Sequence, residues 1–593
     1  MLRTVLVASF LFSLSTASFA QQKTPLPIGM APHEHALVRA YRDSRAALDR
    51  DITTPPTEPV RTMAEWEEIQ SLVITWAQYE GILKQIVRYA KEECEVIIVC
   101  DDQADVTTYL NNTQFGGPLN NLNNVTFIEA PFNSVWTRDF GAECIYTNEV
   151  DSLYLLDWIY NRPRPEDDVT PDVVGAYKGI GVYNTSTAPN DLVHTGGNFM
   201  ADGFGTAFSS ELVIDENGPN GQFNQTVRTQ AGVEAMMETW MGIQQGRYVL
   251  MPTLPYDGIH HIDMHMKLID EERLLIGEFP LGQSDGPQLE SNIDYVTSNW
   301  NSTFGTPYEV IRVPMPSSTG GNYPPDASYR TYANNVFVNG TVLVPTYREE
   351  FDTVGLRILR ESMPGYNVVP IDCDNSGMNI ISASGAIHCI TKGIGVSDPL
   401  LIKHQALNDT YETVIPYGVT AYMRHKSGIA SAQLYWSTDT AQAWNQVAMA
   451  DQGGNNWSAA IPAQSANTRI FYYVEGNANS GKVQVRPIVA PEGWWSFRIL
   501  DPNTGIGEGA IPMITEVYPN PANALVVIAL SQGSGQAEVR ILDATGRVVM
   551  ALHAGSLPSD GRLFADVSAL RTGVYQVEVR TAAGRSTHAL LKR

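Results

Sequence analysis

The chain has 593 residues, 43% of them hydrophobic, and a formal net charge of −25. That supplies cores for about three or four domains at roughly 100–200 residues each. The acidic balance excludes the basic footprint that nucleic-acid binding requires, suits solubility outside the cell and favours encounter with cationic substrates.

In chain order, Arg3, the apolar stretch "VLVASFLFSL" (5–14) and the small residues of Ser18-Phe19-Ala20 read as a signal peptide over residues 1–20. The apolar stretch is too short to span a bilayer, and no later stretch is long and apolar enough. No transmembrane segment is therefore expected, and the protein is expected to be secreted or attached to the cell surface after signal-peptide removal. Residues 21–60 are polar and Pro-rich, with a short helical stretch in "ALVRAYRDSRAALDR" (36–50), and read as a linker or pro-segment. Residues 61–396 alternate strands with helices. "YEGILKQIVRYAKEE" (79–93) has helical apolar spacing, and "VIIVC" (96–100) reads as a buried strand. Further strands are expected at "VTFIEAP", "SLYLLDWIY", "ELVIDE", "LLIGEFP", "YEVIRVPM" and "NNVFVNGTVLVPTY", which together predict an α/β catalytic domain. "TGGN" occurs at Thr195–Asn198 and again at Thr319–Asn322, a recurrence expected of equivalent positions in repeated modules.

Residues 397–500 change to short strands with Gly/Asn turns. They predict an immunoglobulin-like β-sandwich without the paired cysteines of antibody domains. A Gly-rich linker (501–512) leads to a small β domain over 513–593. There "TEVYPNPA" (515–522), "ILDATGRVV" (541–549), "DVSALRTGVYQVEV" (566–579) and the basic end "LLKR" resemble the C-terminal sorting domain of type IX secretion cargo. The resemblance implies that the type IX machinery is a partner, carrying the protein across both membranes and removing this domain.

Five cysteines, Cys94, Cys100, Cys144, Cys373 and Cys389, leave at least one thiol unpaired within the chain and are too few for a disulfide scaffold. The spacing leaves pairing of Cys94 with Cys100 open. No CxxC pair suggests structural zinc.

Three segments carry chemistry. "SVWTRDFGAE" (134–143) groups Trp136, Arg138 and Asp139. In "HIDMHMKLI" (261–269) a strand would direct His261, Asp263 and His265 to one face. Those three suit either a metal site or an acid/base histidine beside a cation-binding carboxylate. In "GAIHCITKGIG" (385–395), Cys389 is nucleophilic only as thiolate and needs an electropositive partner. His388 is adjacent but on a strand would face away, so His261 is the expected partner. A guanidinium unites the set: two carboxylates hold its N–H groups, a thiolate attacks its polarised carbon, and a histidine protonates departing ammonia and activates water.

The motifs "WTRDFG" (136–141), "HTGGNFMADGFGTAFSS" (194–210), "HID" (261–263), "TYANNVFVNGTVLVP" (331–345) and "GAIHCITKGIG" resemble, in order, the agmatine deiminase and peptidylarginine deiminase branch of the guanidino-group-modifying superfamily. The resemblance covers roughly residues 60–395. It implies a five-bladed α/β propeller, Cys389 as nucleophile, His261 as general acid/base, and Asp139 and Asp263 as guanidinium ligands. It also implies that Trp136 and Asn334 line the cleft. The family needs no redox cofactor or catalytic metal, which disfavours the metal reading and leaves His265 structural. A structural Ca²⁺ or Na⁺ is compatible with the chain but has no contiguous motif. In "YNRPRPEDD" (160–168), Arg162 and Arg164 suit a substrate carboxylate and resemble the carboxylate clamp of secreted bacterial peptidylarginine deiminases. The expected substrate is therefore an arginine-containing peptide or protein, with deimination at C-terminal arginine. Agmatine, free arginine and a catalytically idle surface adhesin are the alternatives.

Overall fold

Strands Ile69–Thr75 and Glu95–Cys100 are largely apolar and almost wholly buried, the signature of parallel strands covered on both faces, and Val125–Glu129 is the more exposed edge beside them. In this computed structural model, which describes residues 26–45, 51–223, 225–501, 513–531, 536–558, 560–581 and 584–593, they pair in parallel. The helix Glu80–Ala90 makes the first crossover. It buries Ile82, Leu83, Ile86, Val87 and Ala90 on one face, the spacing a one-sided helix requires.

The same unit recurs. Among the described residues, five sheets lie between residues 60 and 395. Each has an antiparallel strand pair followed by a parallel partner reached through helical crossover. In the second sheet Glu143–Thr147 pairs antiparallel with Leu153–Tyr160, which pairs in parallel with Val182–Thr185. The third runs Met200–Ala201, Ala207–Ser210 and Tyr248–Met251. The fourth runs Met266–Leu268, Arg273–Glu278 and Glu309–Pro314, and the fifth Val336–Val338, Thr341–Thr346 and Asn367–Asp372. The first sheet takes its antiparallel strand from far along the chain: Lys392–Gly395 lies against Ile69–Thr75, with Lys392 opposite Val73. This pairing ties the last segment of the α/β region to the first and anchors Cys389 three residues before the strand.

Beyond residue 400, two antiparallel sheets enclose one apolar cluster that includes Val419, Met423, Leu434, Ile470 and Val474. The strand Tyr417–Arg424 alternates buried and more exposed residues, as a sheet with one covered face should. Two further antiparallel sheets over residues 514–592 enclose Val526, Ile528, Val539, Ile541, Val577 and Val579. Ion pairs join the α/β region to both: Lys482 to Glu68 at 2.6 Å and Arg486 to Glu271 at 2.9 Å, then Arg357 to Glu516 at 2.9 Å and Arg562 to Glu361 at 2.6 Å. Among the described residues no helix is long and apolar enough to cross a membrane.

Two expectations differ from the structure, and two points left open are filled in. "ELVIDE" is not a strand: Leu212–Glu216 is a short helix, because an apolar run of that length carries no periodicity to separate strand from helix. The two "TGGN" segments are not equivalent; the first is a buried 3-10 turn, whereas the second lies in an exposed loop. All five cysteines are free and buried, so Cys94 and Cys100 do not pair. Residues 26–45, within the stretch read as a linker or pro-segment, pack against the α/β region through Ile28, Val38 and Tyr41. The signal peptide and residues 502–512 of the linker lie outside the described residues.

Candidate active site

The connections from each sheet to the next meet. Asp139 lies in the four-residue helix Thr137–Phe140 between the first and second sheets, and the turn Gly196–Asn198 lies between the second and third. The turn Ile262–Met264 carries Asp263 between the third and fourth sheets, Asn334 stands between the fourth and fifth, and the turn His388–Ile390 lies between the fifth and the closing strand. Residues as far apart in sequence as Asp139 and Cys389 thus reach one buried point.

"HIDMHMKLI" is a 3-10 turn followed by the strand Met266–Leu268, not a continuous strand. His260, at φ 57, adopts the left-handed conformation just before His261, a costly backbone state that clusters at functional sites. Ser210 Oγ secures it by donating to the His260 carbonyl at 2.6 Å. The cysteine segment is likewise a 3-10 turn. Strand alternation does not separate His388 from Cys389, and both reach the same carboxylate oxygen. His388 Nδ1 is 2.7 Å and Cys389 Sγ 3.5 Å from Asp263 Oδ2.

Asn334 joins the two turns. Its Nδ2 donates to Cys389 Sγ and to the Asp263 carbonyl, each at 3.2 Å, and its Oδ1 accepts from the His388 amide at 3.0 Å. Across the site, Asp139 Oδ1 is 3.5 Å from His261 Nδ1 and accepts from the Gly197 amide at 3.3 Å. Gly197 has no room for a side chain, because an added Cβ would lie 2.5 Å from His261 Nδ1 and 2.8 Å from Asp139 Oδ1. Gly385 is required for a similar reason: a Cβ there would strike the Trp136 ring, which packs over the cysteine turn.

A second layer, missed in the sequence, fixes these groups. Glu65 accepts from Arg138 Nη1 at 2.9 Å, lies 2.7 Å from His388 Nε2 and is paired with Lys267. Arg138 Nε also donates to the His388 carbonyl at 3.3 Å. Glu65 sits in an acidic stretch that reads as an ordinary turn, and only the fold reveals that it faces three basic side chains.

The electrostatics follow from burial. Cys389, His261, Asp139 and Asp263 are all 0–1% exposed. Burial, with the carboxylates of Asp263 and Asp139, holds the Cys389 thiol well above its usual range. Burial pushes His261 down to about 3, so thiol and imidazole are both neutral at rest. Burial and the neighbouring Asp263 raise Asp139 to about 7. Asp263 is lowered: its desolvation is outweighed by the hydrogen bond and charge of His388, then by His261 and Arg138. Among the described residues, His261 Nδ1 and Nε2 and Asp263 Oδ1 are buried without a hydrogen-bond partner. A buried polar set left unsatisfied within the chain calls for a polar ligand. Both ring nitrogens of His265 are also unpartnered, but no three His, Cys, Asp or Glu side chains among the described residues are arranged to hold a metal ion.

Trp136 and Arg162 border this group, and they share a neighbour with Arg164. Trp136 Nε1 donates to the Leu26 carbonyl at 2.9 Å, and Arg162 Nε to the Ile28 carbonyl at 3.0 Å. Arg164 forks onto the Glu34 carboxylate, Nε to Oε1 at 2.7 Å and Nη2 to Oε2 at 3.0 Å. The Arg162 charge acts on both Asp139 and His261, lowering each.

The Porphyromonas-type peptidyl-arginine deiminase family matches residues 61–394, and the secretion system C-terminal sorting domain matches residues 516–593. An agmatine deiminase of Pseudomonas aeruginosa is 22% identical over 391 residues, 58% of this chain and 98% of the relative. Among solved structures, the agmatine deiminase of C. jejuni aligns with a TM-score of 0.46 at 18% identity, covering 57% of this chain and 97% of that one. The agmatine deiminase of Enterococcus faecalis aligns with a TM-score of 0.48 at 16% identity, covering 58% and 99%.

Proposed function

The chain belongs to the Porphyromonas-type peptidyl-arginine deiminase family, hydrolases of guanidino C–N bonds, and from that premise we propose that it converts peptidyl-arginine, presented at a peptide C-terminus, to citrulline and ammonia. Its sorting domain makes it a secreted or cell-surface protein. The five successive sheets, with the last strand laid against the first, support a five-bladed propeller for the catalytic region. The two sheets sharing a core after residue 400 support an immunoglobulin-like sandwich.

The observation that carries the chemistry is the buried meeting of one thiol, one neutral imidazole and two carboxylates with unsatisfied hydrogen-bonding capacity. A substrate guanidinium donates to Asp139 and Asp263. A unit charge about 4 Å from a carboxylate contributes about 4 kcal/mol at an effective dielectric of 20, or about three pK units. That is enough to ionise Asp139 at neutral pH and to favour the thiolate. The Cys389 proton passes to His261, and Sγ bonds to the guanidinium carbon. The imidazolium then protonates the departing nitrogen as the C–N bond breaks and ammonia leaves, giving a thiouronium. His261 next takes a proton from water, whose oxygen bonds to the same carbon. The C–S bond breaks, the thiolate recovers a proton from His261, the added oxygen gives its remaining proton to ammonia or water as the C=O forms, and a ureido group is released.

Substrate choice rests on Arg164. Its two-point grip on the Glu34 carboxylate supports this reading, since a peptide C-terminus offers the same pair of oxygens. Agmatine has no carboxylate and could not replace Glu34 in that fork. The test is ureido-product formation from four compounds: a peptide ending in arginine, its C-terminal amide, a peptide with internal arginine, and agmatine. We expect kcat/KM at least tenfold higher for the free carboxylate than for the amide. Fastest turnover of agmatine would overturn the assignment of Arg164. Arg164→Lys should lose most of the preference, since an ammonium cannot fork.

A further inference from the structure

Four successive carbonyls near the start of the described chain are held by Trp136, Arg162 and Arg164. Trp136 Nε1 takes Leu26, Arg164 Nη2 takes Pro27 at 2.7 Å and Gly29 at 3.0 Å, and Arg162 Nε takes Ile28. Recognition of this kind reads backbone and is indifferent to side chains, which is how an arbitrary peptide is held. Five residues on, the Glu34 carboxylate occupies the fork of Arg164, and its Oε2 also accepts from the Ala31 amide at 2.6 Å. Ile28 and Glu34 are 0% and 2% exposed. The helix Val38–Arg45 continues the docking, with Tyr41 OH donating to Asp168 at 2.8 Å and its ring set edge-on to Phe223 at 6.2 Å. Trp136 links this strap to the chemistry, since its ring covers the turn of Gly385 and Cys389 while its Nε1 is tied to Leu26.

We propose that residues 26–45 are a pseudosubstrate: they occupy the groove of Trp136, Arg162 and Arg164 that a peptide substrate enters, with Glu34 standing in for the substrate carboxylate. The segment and substrate then exclude each other, and the enzyme works only when the segment is displaced or removed. This rests on the guanidine-hydrolase reading for what the site does once open, but not for whether it opens.

The test uses the full chain and the substitution Glu34→Gln, which keeps the size of the side chain and removes its charge. Charged hydrogen bonds contribute enough that docking should weaken by roughly tenfold or more. The readout is the rate of iodoacetamide labelling at each of the five cysteines, followed by peptide mass. Cys94, Cys100, Cys144 and Cys373 are buried like Cys389 and report general loosening. We expect Cys389 alone to label roughly tenfold faster in Glu34→Gln, and an added synthetic peptide of residues 26–45 to restore its protection. Unchanged labelling of Cys389, or an equal rise at all five thiols, would overturn the proposal. Labelling separates this idea from the enzymatic one. Selective unmasking of Cys389 in a variant that turns over no arginine compound leaves the pseudosubstrate standing and the substrate reading lost. Arginine turnover with Cys389 labelling unaffected by Glu34→Gln gives the reverse.

Discussion

Replacing Gly197 by alanine adds one methyl group and should nearly abolish catalysis while leaving the protein folded. The new Cβ would stand 2.5 Å from His261 Nδ1 and 2.8 Å from Asp139 Oδ1. Ordinary contact begins at about 3.4 Å or beyond, so the imidazole, the carboxylate or both must retreat by roughly 1 Å in packing that has little slack. Neither group is the far end of a flexible chain. His261 is held by the left-handed turn at His260, and Asp139 sits within a four-residue helix. A misplacement of about 1 Å costs on the order of 10²-fold in rate, and overpacking costs about 1–3 kcal/mol of stability. The assay is kcat by ammonia release, with denaturant unfolding beside it. Activity within about threefold of the native enzyme would refute the reasoning, because it would mean that His261 and Asp139 can move that far without consequence.

Asp139, raised to about 7, should impose an acid limb on kcat/KM. Below about pH 7 the protonated carboxyl no longer holds a guanidinium as an anion, and the rate should fall about tenfold per pH unit; a flat profile from pH 5 to 8 would contradict this. The same group bears on stability. Its folded value is raised, so its contribution is fullest below about pH 4 and is lost as pH rises through about 7. Asp139→Asn should therefore stabilise the protein at pH 8, by roughly 2–4 kcal/mol, and have little effect at pH 4, measured by denaturant unfolding. Glu65→Gln should destabilise by about 3 kcal/mol or more, because Arg138 and Lys267 keep their charges without the shared carboxylate. It should also lower kcat more than it raises KM, since His388 loses one of the two carboxylates that orient it.

Much of the α/β region was legible in the sequence because its signals are strong. The helix Glu80–Ala90 and the strands around it carry clear apolar patterns, and tertiary structure had nothing to override. The turns of the active site were less legible. "HIDMHMKLI" alternates like a strand, yet its first residues form a 3-10 turn because His260 reverses the chain before them. Cys389, His261, Asp139 and Asp263 could be grouped by the chemistry they share. Glu65 and His388 could not, since their part depends on three basic groups and one carboxylate brought together by distant sheets. Residues 21–60 read from their prolines as a linker or pro-segment, without sign of where residues 26–45 would dock. That docking depends on Trp136, Arg162 and Arg164, more than a hundred residues away, and nothing local to the segment reveals it.

The central claim is that Cys389 bonds to the guanidine carbon. It is tested most directly by trapping that bond: the full chain is mixed with a peptide ending in arginine, quenched in acid during turnover, digested and read by mass spectrometry. The account predicts that Cys389 carries the mass of the substrate less ammonia, and that Cys389→Ala shows neither adduct nor turnover. Turnover retained in Cys389→Ala would contradict it.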